Sequence, residues 1–180
     1  ENNLWYAETI EATNPCAEQP LPPYGCCCLG SLNLTLYVNA PFSDVAAFDF
    51  EQFERDVTTA IRMLDNVLDV TYWPLERQKQ EAASKRRIGL GFTGLGDALI
   101  MLGLRYDTDA ARAMAARISE VMRDRAYLAS SELAQERGAF PLFDADKYLA
   151  GRFVSRLPEH VRAAIRQHGI RNSHLLSIAP

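Results

Sequence analysis

Histidine is scarce in this 180-residue chain, with three in all and no ligand spacing among them. His160, His168 and His174 therefore read as surface or capping residues rather than metal ligands. Long apolar runs are missing too. None reaches the ~18 residues that a membrane span needs, and the opening ENNLWYAETI lacks the basic-then-apolar profile of a secretory signal. Neither charge sign is in large excess, and the net charge of −4 argues against general affinity for nucleic acid or anionic membranes. There is no internal repeat and no low-complexity linker. Cysteine is limited to four residues with no CxxC pair, which argues against a zinc site and against the disulfide framework of a small secreted domain. A cytoplasmic setting with reduced thiols is the expectation.

What is present fits one globular domain with a sizeable core, since 48% of the residues are hydrophobic and 23% charged. The chain begins at Glu1 and stops at Pro180, directly after the apolar run LLSIA, and reads as a piece of a longer protein with both ends cut. Residues 4 to 12, LWYAETIEA, suggest a strand leading into Asn14-Pro15. Pro20, Pro22 and Pro23 impose an extended segment that turns at Tyr24-Gly25. CLGSLNLTLYV, residues 28 to 38, alternates from Leu32 to Leu36 and suggests a second short strand.

Helical periodicity covers about 48 to 72, where Phe50, Phe53, Val57, Ile61, Leu64 and Leu68 share one stripe before Pro74. Further helices are expected over 77 to 87, 95 to 102 and 109 to 137, the last capped by Thr108 and Gly138. AFPLF reads as a loop, 158 to 168 as a short helix closed by Gly169, and HLLSIA as a buried strand. The chain is helix-rich with a few strands.

Several stretches could carry chemistry. GLGFTG, with Gly89, Gly91 and Gly94, has the letters of a dinucleotide fingerprint. Its lead-in, Lys85-Arg86-Arg87-Ile88, is not a hydrophobic strand, so the glycines read instead as a turn and helix start that pack closely. The basic run Lys79, Lys85, Arg86 and Arg87 alternates with Glu76 and Glu81 and reads as a solvated helix face.

All four cysteines lie in NPCAEQPLPPYGCCCLG, residues 14 to 30. Cys26, Cys27 and Cys28 could serve as small buried hydrophobes, but that does not explain Cys16, which shares a short loop with Asn14 and Glu18. The Pro-rich turn lets the segments flanking it return side by side. In an extended segment side chains alternate faces, so Cys27 points opposite to Cys26 and Cys28. A thiol, a carboxylate and an amide facing a second thiol are parts suited to redox chemistry on a polar substrate. Three readings stand at this point: a radical reductase, a nucleotide-binding oxidoreductase using residues 89 to 94, and a non-catalytic thiol-rich helical module.

NPCAEQPLPPYGCCCLGSLNL resembles the catalytic loop of the ribonucleotide reductase large chain. RRIGLGFTGLGDALIMLGLRY and RNSHLLSIAP are similar to two further stretches of that family, and QPLPPYG is most similar to its class II, adenosylcobalamin-dependent branch. Ala17 stands where glycine is usual, Gly96 where alanine is usual, and Cys26 and Cys28 add thiols. The resemblance implies a fragment, residues 1 to 180, of a catalytic ten-stranded α/β barrel with the cysteine loop threaded through its centre.

It implies ribonucleotide reduction for DNA synthesis. Cys16 would be the thiyl radical that takes the ribose 3′ hydrogen, Glu18 the base for the 3′-hydroxyl, and Asn14 the amide that holds the ribose hydroxyls. Cys27 would be one of two thiols that end as a disulfide, with its partner upstream of this stretch. It further implies a ribonucleoside di- or triphosphate substrate and adenosylcobalamin as cofactor. A thioredoxin- or glutaredoxin-like reductant and deoxynucleotide effectors would act on the full protein. The 180 residues alone are expected to be inactive, since the phosphate-binding turn would follow Pro180.

Overall fold

Three extended segments run parallel at the centre of the computed structural model, which describes residues 2–178. Strand β1 is Ala12–Thr13, β2 Pro20–Leu21, β3 Cys28–Asn33, β4 Val38–Asn39, β5 Ala47–Phe48 and β6 Ile88–Thr93. The helices are α1 Phe50–Val70, α2 Glu76–Lys85, α3 Leu95–Met101, α4 Asp109–Arg137, α5 Ala145–Ala150 and α6 Glu159–His168. β3 pairs with β6 in parallel, with Cys28 opposite Ile88 and Asn33 opposite Thr93. On the other side of β6 runs the segment 174–177, joined by Ile88 N–H to His174 O at 3.0 Å and Leu90 N–H to Leu175 O at 2.7 Å. Parallel neighbours need long crossovers. Here α1 and α2 lie between β3 and β6, and α3 to α6 between β6 and residue 174. The fold is mixed α/β and helix-rich.

The helices form where periodicity and caps agree. Asp49 accepts from Gln52 N–H at 2.9 Å to open α1, whose Phe53, Val57, Ile61, Leu64 and Leu68 are buried. Thr108 accepts from Ala111 N–H at 3.3 Å to open α4, and Gly138 closes it. α4 packs on α1 and α6, and Leu34, Ile88, Leu90 and Ile118 complete the core between sheet and helices.

Four expectations change in the structure. Residues 4 to 12 are not a strand. Ala7 and Glu8 N–H both bond to Leu4 O, making a turn that buries Leu4, and only Ala12–Thr13 pairs, with Pro20–Leu21. The segment never alternated, so a single anchor residue took precedence over a ladder. The strand at 28 begins earlier than its alternation suggested and ends at Asn33, where Asn33 caps a 3-10 turn over Leu34–Tyr37. Gly89 and Gly91 lie in a strand rather than a turn, because Ile88, Leu90 and Phe92 alternate with them at the strand period, whereas Gly94, at φ 72°, stands at the start of α3 as expected. The HLLSIA segment makes a single parallel bridge, Leu90 to Leu176, and Ala179 and Pro180 lie outside the described residues. The helix α5 carried no periodic signal at its six residues.

The basic run also departs from expectation. Lys79 is exposed, but Lys85, Arg86 and Arg87 are buried. Arg86, at φ 48°, leaves α2 and donates its Nε to Asp65 Oδ1 at 2.8 Å and its Nη1 to Asp69 at 2.8 Å. Asp65 is fully buried and also accepts from Asn172 Nδ2 at 2.9 Å and Arg171 Nε at 3.3 Å. A buried carboxylate is tolerated only with such partners. This one ties α1 to the entry of β6 and to the entry of segment 174–177, so it sets how the strands align.

Candidate functional site

The tip of the β1–β2 hairpin carries the first cysteine. Asn14 N–H bonds to Gln19 O at 3.3 Å, and Ala17 N–H bonds to Asn14 O at 2.9 Å. The Asn14 side chain closes the loop from inside. Its Oδ1 accepts from Gln19 N–H at 3.0 Å, and its Nδ2 donates to Glu18 Oε1. Ala17 sits in the left-handed region at φ 62°, which is where glycine is at ease and alanine is strained by roughly 1 kcal/mol. Cys16 is exposed at this tip. Glu18 is held from the other side by Ser177, whose hydroxyl donates to Glu18 O at 3.2 Å. Its second carboxylate oxygen, Oε2, is buried and makes no hydrogen bond.

After the prolines the chain turns at Tyr24, at φ 59°, with Gly25 N–H on Pro22 O at 2.9 Å. It then enters β3 through the three adjacent thiols. All three are partly buried. Burial pushes Cys27 up to about 12, and Arg87 opposes that rise while Cys28, Cys26 and Glu18 add to it. Burial, then the nearby Glu81 charge, pushes Cys26 up to about 11, and burial raises Cys28. All three are neutral thiols near pH 7.

Their surroundings differ in part, although the Arg87 charge acts on both Cys26 and Cys27. Cys28 packs against the hydrophobic core, and Cys26 feels Glu81. Of the three, Cys27 alone feels the Glu18 charge. Its Sγ also faces the floor at Gly89, where a Cβ would stand 3.1 Å away, beside Gln19 Nε2 at 2.9 Å. The bare strand at Gly89 is thus the surface on which the Glu18 loop and the Cys27 thiol both rest. The structure brings Asn14 and Glu18 into direct contact, with Cys16 between them in the loop and Cys27 within reach of the Glu18 field.

A cavity of about 410 Å³ opens beside Glu18, lined also by Gln19, Arg87, His174 and Leu176. A larger one, about 550 Å³, lies beyond His174 against Tyr127 and Phe153 and includes none of the four sequence-derived residues. Two residues of the smaller cavity escaped the sequence reading. Arg87 reads from its sequence context as part of a solvated helix face. The signal that places it is the alternation beginning directly after it, which makes it the first residue before a buried strand. His174 is half-buried, not a surface residue. Its Nε2 lies 3.0 Å from Asn2 Oδ1 and its Nδ1 3.0 Å from Ser173 Oγ. Asn2 Oδ1 can only accept, so Nε2 carries the proton and Nδ1 accepts from the serine. Burial, then Arg87 and Lys85, hold its pKa well below the usual imidazole range. His160 is exposed, and His168 ends α6. Among the described residues no group of three or more His, Cys, Asp or Glu side chains converges to hold a metal ion, and no helix is long and apolar enough to cross a membrane.

The family model described as ribonucleotide reductase, barrel domain, matches residues 1–180. A vitamin B12-dependent ribonucleoside-diphosphate reductase of Mycobacterium tuberculosis is 41% identical over 139 residues, 77% of this chain and 19% of that protein. A protein of the same name from Thermoplasma acidophilum is 42% identical over 132 residues, 73% of this chain and 17% of its own. The ribonucleoside-diphosphate reductase large chain of Encephalitozoon cuniculi is 33% identical, covering 99% of this chain and 24% of its own. The chain spans about a fifth of the length of the curated relatives it matches.

Proposed function

The chain belongs to the ribonucleotide reductase barrel-domain family, and on that footing we propose that it is the thiol-bearing part of a reductase that converts ribonucleotides to 2′-deoxyribonucleotides for DNA synthesis. The observation that carries the reading is the loop 14–18. Its amide and carboxylate are bonded to each other around an exposed thiol, and the carboxylate keeps one buried oxygen unpartnered beside a cavity. A carboxylate with spare acceptor capacity next to a thiol is suited to taking a hydroxyl proton while sulfur handles a hydrogen atom. The names of the relatives favour a ribonucleoside diphosphate as substrate. Residues 1 to 180 are then part of the catalytic domain. The parallel β3–β6–174 array is three neighbours of a ten-stranded barrel, and the loop 14–18 is the tip of its central cysteine finger.

The reaction assigns one task to each group. Starting as a thiyl radical, Cys16 removes the 3′ hydrogen atom of the ribose. S–H and activated C–H bonds are close in strength, so the step is reversible. Glu18 takes the 3′-hydroxyl proton, the 2′-hydroxyl leaves as water with one proton from the thiol pair, and Glu18 later returns its proton to the 3′ oxygen. Asn14 holds Glu18 and the ribose hydroxyls through its amide. Cys27 and a second thiol outside this chain supply two electrons and two protons and close a disulfide. Cys16 then returns the hydrogen atom to C3′ and is again a thiyl.

By resemblance the cofactor is adenosylcobalamin, which when bound to the full protein would supply the first radical. The residues present here do not fit a corrin. A cavity of about 410 Å³ suits a nucleoside-sized ligand, and His174 is committed to Asn2 and Ser173. A thioredoxin- or glutaredoxin-like dithiol reduces the disulfide back to thiols, deoxynucleotides act as effectors on the full protein, and the setting is cytoplasmic.

The test uses the full-length protein. Cys16→Ser abolishes turnover while nucleotide binding survives, since an oxygen radical must form from a much stronger O–H bond. Glu18→Gln keeps binding and slows turnover by about 10²–10⁴, the range for a lost acid–base group. Normal turnover in either variant, measured as deoxynucleotide formed, refutes the assigned role.

A further inference from the structure

Arg87 lines the cavity beside Glu18. It immediately precedes β6, and continuing the register in which Cys28 lies opposite Ile88 sets it across from Cys27. Side chains two apart on an extended segment share a face, so Arg87 looks the same way as Gly89, and the Gly89 face is the one that meets Cys27 Sγ. The guanidinium is buried. Glu8 Oε1 holds its Nη2 at 2.5 Å, and Pro20 O accepts from its Nη1 at 3.5 Å. Glu8 also serves Lys85 Nζ at 2.8 Å, so one carboxylate is divided between two cations. Glu81 takes up part of the Lys85 charge. The result is a fixed cation, anchored from the hairpin side and the N-terminal side, on the face occupied by the thiol.

Building on the reductase reading, we propose that Arg87 is a positioning residue for the redox half-reaction: its guanidinium is the fixed positive charge against which Cys27 departs as a thiolate when its disulfide is reduced. The step balances. One thiolate of an incoming dithiol attacks the partner sulfur, the S–S bond breaks, and Cys27 leaves with the bonding pair. The second thiolate of the dithiol then displaces the partner sulfur and closes the reductant's own disulfide. Two electrons pass from the dithiol to the protein, and its two protons end on Cys27 and its partner. The leaving thiolate is the costly species, because a half-buried sulfur resists charge. The groups facing Cys27 are Arg87, which favours its charge, and Cys26, Cys28 and Glu18, which oppose it. Around Arg87 stand Glu8, Lys85 and the neutral His174.

The experiment reads the thiol directly in the full-length protein. Cys27 alkylation by iodoacetamide is followed from pH 7 to 9.5, with fragmentation mass spectrometry separating it from Cys26 and Cys28. Reduction of the Cys27 disulfide by dithiothreitol is followed alongside. Arg87→Met slows alkylation at a given pH by roughly tenfold, the scale of one lost opposite charge at close range, and slows reduction as well. Arg87→Lys restores most of the rate, which a purely structural role would not require. Glu8→Gln acts in the opposite sense and speeds both, because it frees Arg87 from its counter-ion. Unchanged rates in Arg87→Met, or a lysine variant no better than methionine, overturn the proposal. If Arg87→Met fails to fold, Glu8→Gln decides alone: faster alkylation supports the proposal, and equal or slower alkylation overturns it. Single-turnover deoxynucleotide yield from pre-reduced wild type tests the reductase reading separately, since it needs no re-reduction of Cys27.

Discussion

Replacing Gly91 by alanine separates a backbone constraint from a side-chain one. A Cβ at Gly91 would lie 2.1 Å from Ser177 O and 3.1 Å from Ser177 C. Both are main-chain atoms, so segment 174–177 must move by more than 1 Å to normal contact. That movement strains the bonds Leu90 N–H to Leu175 O and Ser177 N–H to Leu90 O, and the Ser177 hydroxyl that holds Glu18. Two weakened backbone bonds at about 1 kcal/mol each, with about 1–3 kcal/mol of overpacking, less about 0.5–1 kcal/mol from a stiffer unfolded chain, give about 2–4 kcal/mol of destabilisation. Gly89→Ala meets only side-chain ends, Leu29 Cδ2 at 2.6 Å, Gln19 Nε2 at 2.9 Å and Cys27 Sγ at 3.1 Å. These can swing aside, so about 1 kcal/mol is expected. The assay is thermal melting of the full-length protein with limited proteolysis near residue 177. A Gly91→Ala protein that melts with wild type, or a Gly89→Ala protein that melts lower than Gly91→Ala, refutes the close-approach account.

Other outcomes test the thiols and the buried imidazole. In the full-length enzyme, Cys27→Ser blocks multiple turnovers and diverts the radical chemistry to released base and a damaged sugar, whereas Cys26→Ser and Cys28→Ser cost about 1–3 kcal/mol of packing with the reaction intact. Mass spectrometry of the disulfide peptide after one turnover checks this, and Cys26 or Cys28 in that disulfide with Cys27 free would be the refuting result. His174 is held neutral when folded, so its contribution to stability is present above the ordinary imidazole pKa near 6.5 and is lost as pH falls below it toward the lowered folded value. Melting temperatures between pH 7.5 and 5.5 should fall more steeply for wild type than for His174→Gln, and equal slopes would refute that role.

The helices were legible because their signals are local. The stripe from Phe53 to Leu68 and the caps at Thr108 and Gly138 lie within a few turns of what they specify. The strands were less so, because a strand's partner is remote in sequence. Gly89 and Gly91 look like turn residues until Cys27, Leu29 and Ser177 are seen to need the room that a side chain would fill. Lys85, Arg86 and Arg87 look like a wet helix face, since nothing near them in sequence reveals that Asp65 lies 21 residues upstream of Arg86, or Glu8 further back, as a buried counter-charge. Charge alone does not tell a solvated run from a desolvated one.

The site divides along the same line. Asn14, Cys16 and Glu18 were visible as a set because one tight loop holds all three, and the Asn14–Glu18 hydrogen bond is a contact four residues apart. The separation of Cys27 from its neighbours rests on strand alternation, but β3 begins only at Cys28, and the Arg87 charge reaches Cys26 as well as Cys27. Arg87 and His174 could not be assembled that way. They reach the cavity from the entry of β6 and from the last extended segment, which Asp65 helps to align through Arg86, Arg171 and Asn172. A loop can carry reactive groups in its own sequence. The charge and the floor beneath them come from strands that the loop must be folded onto.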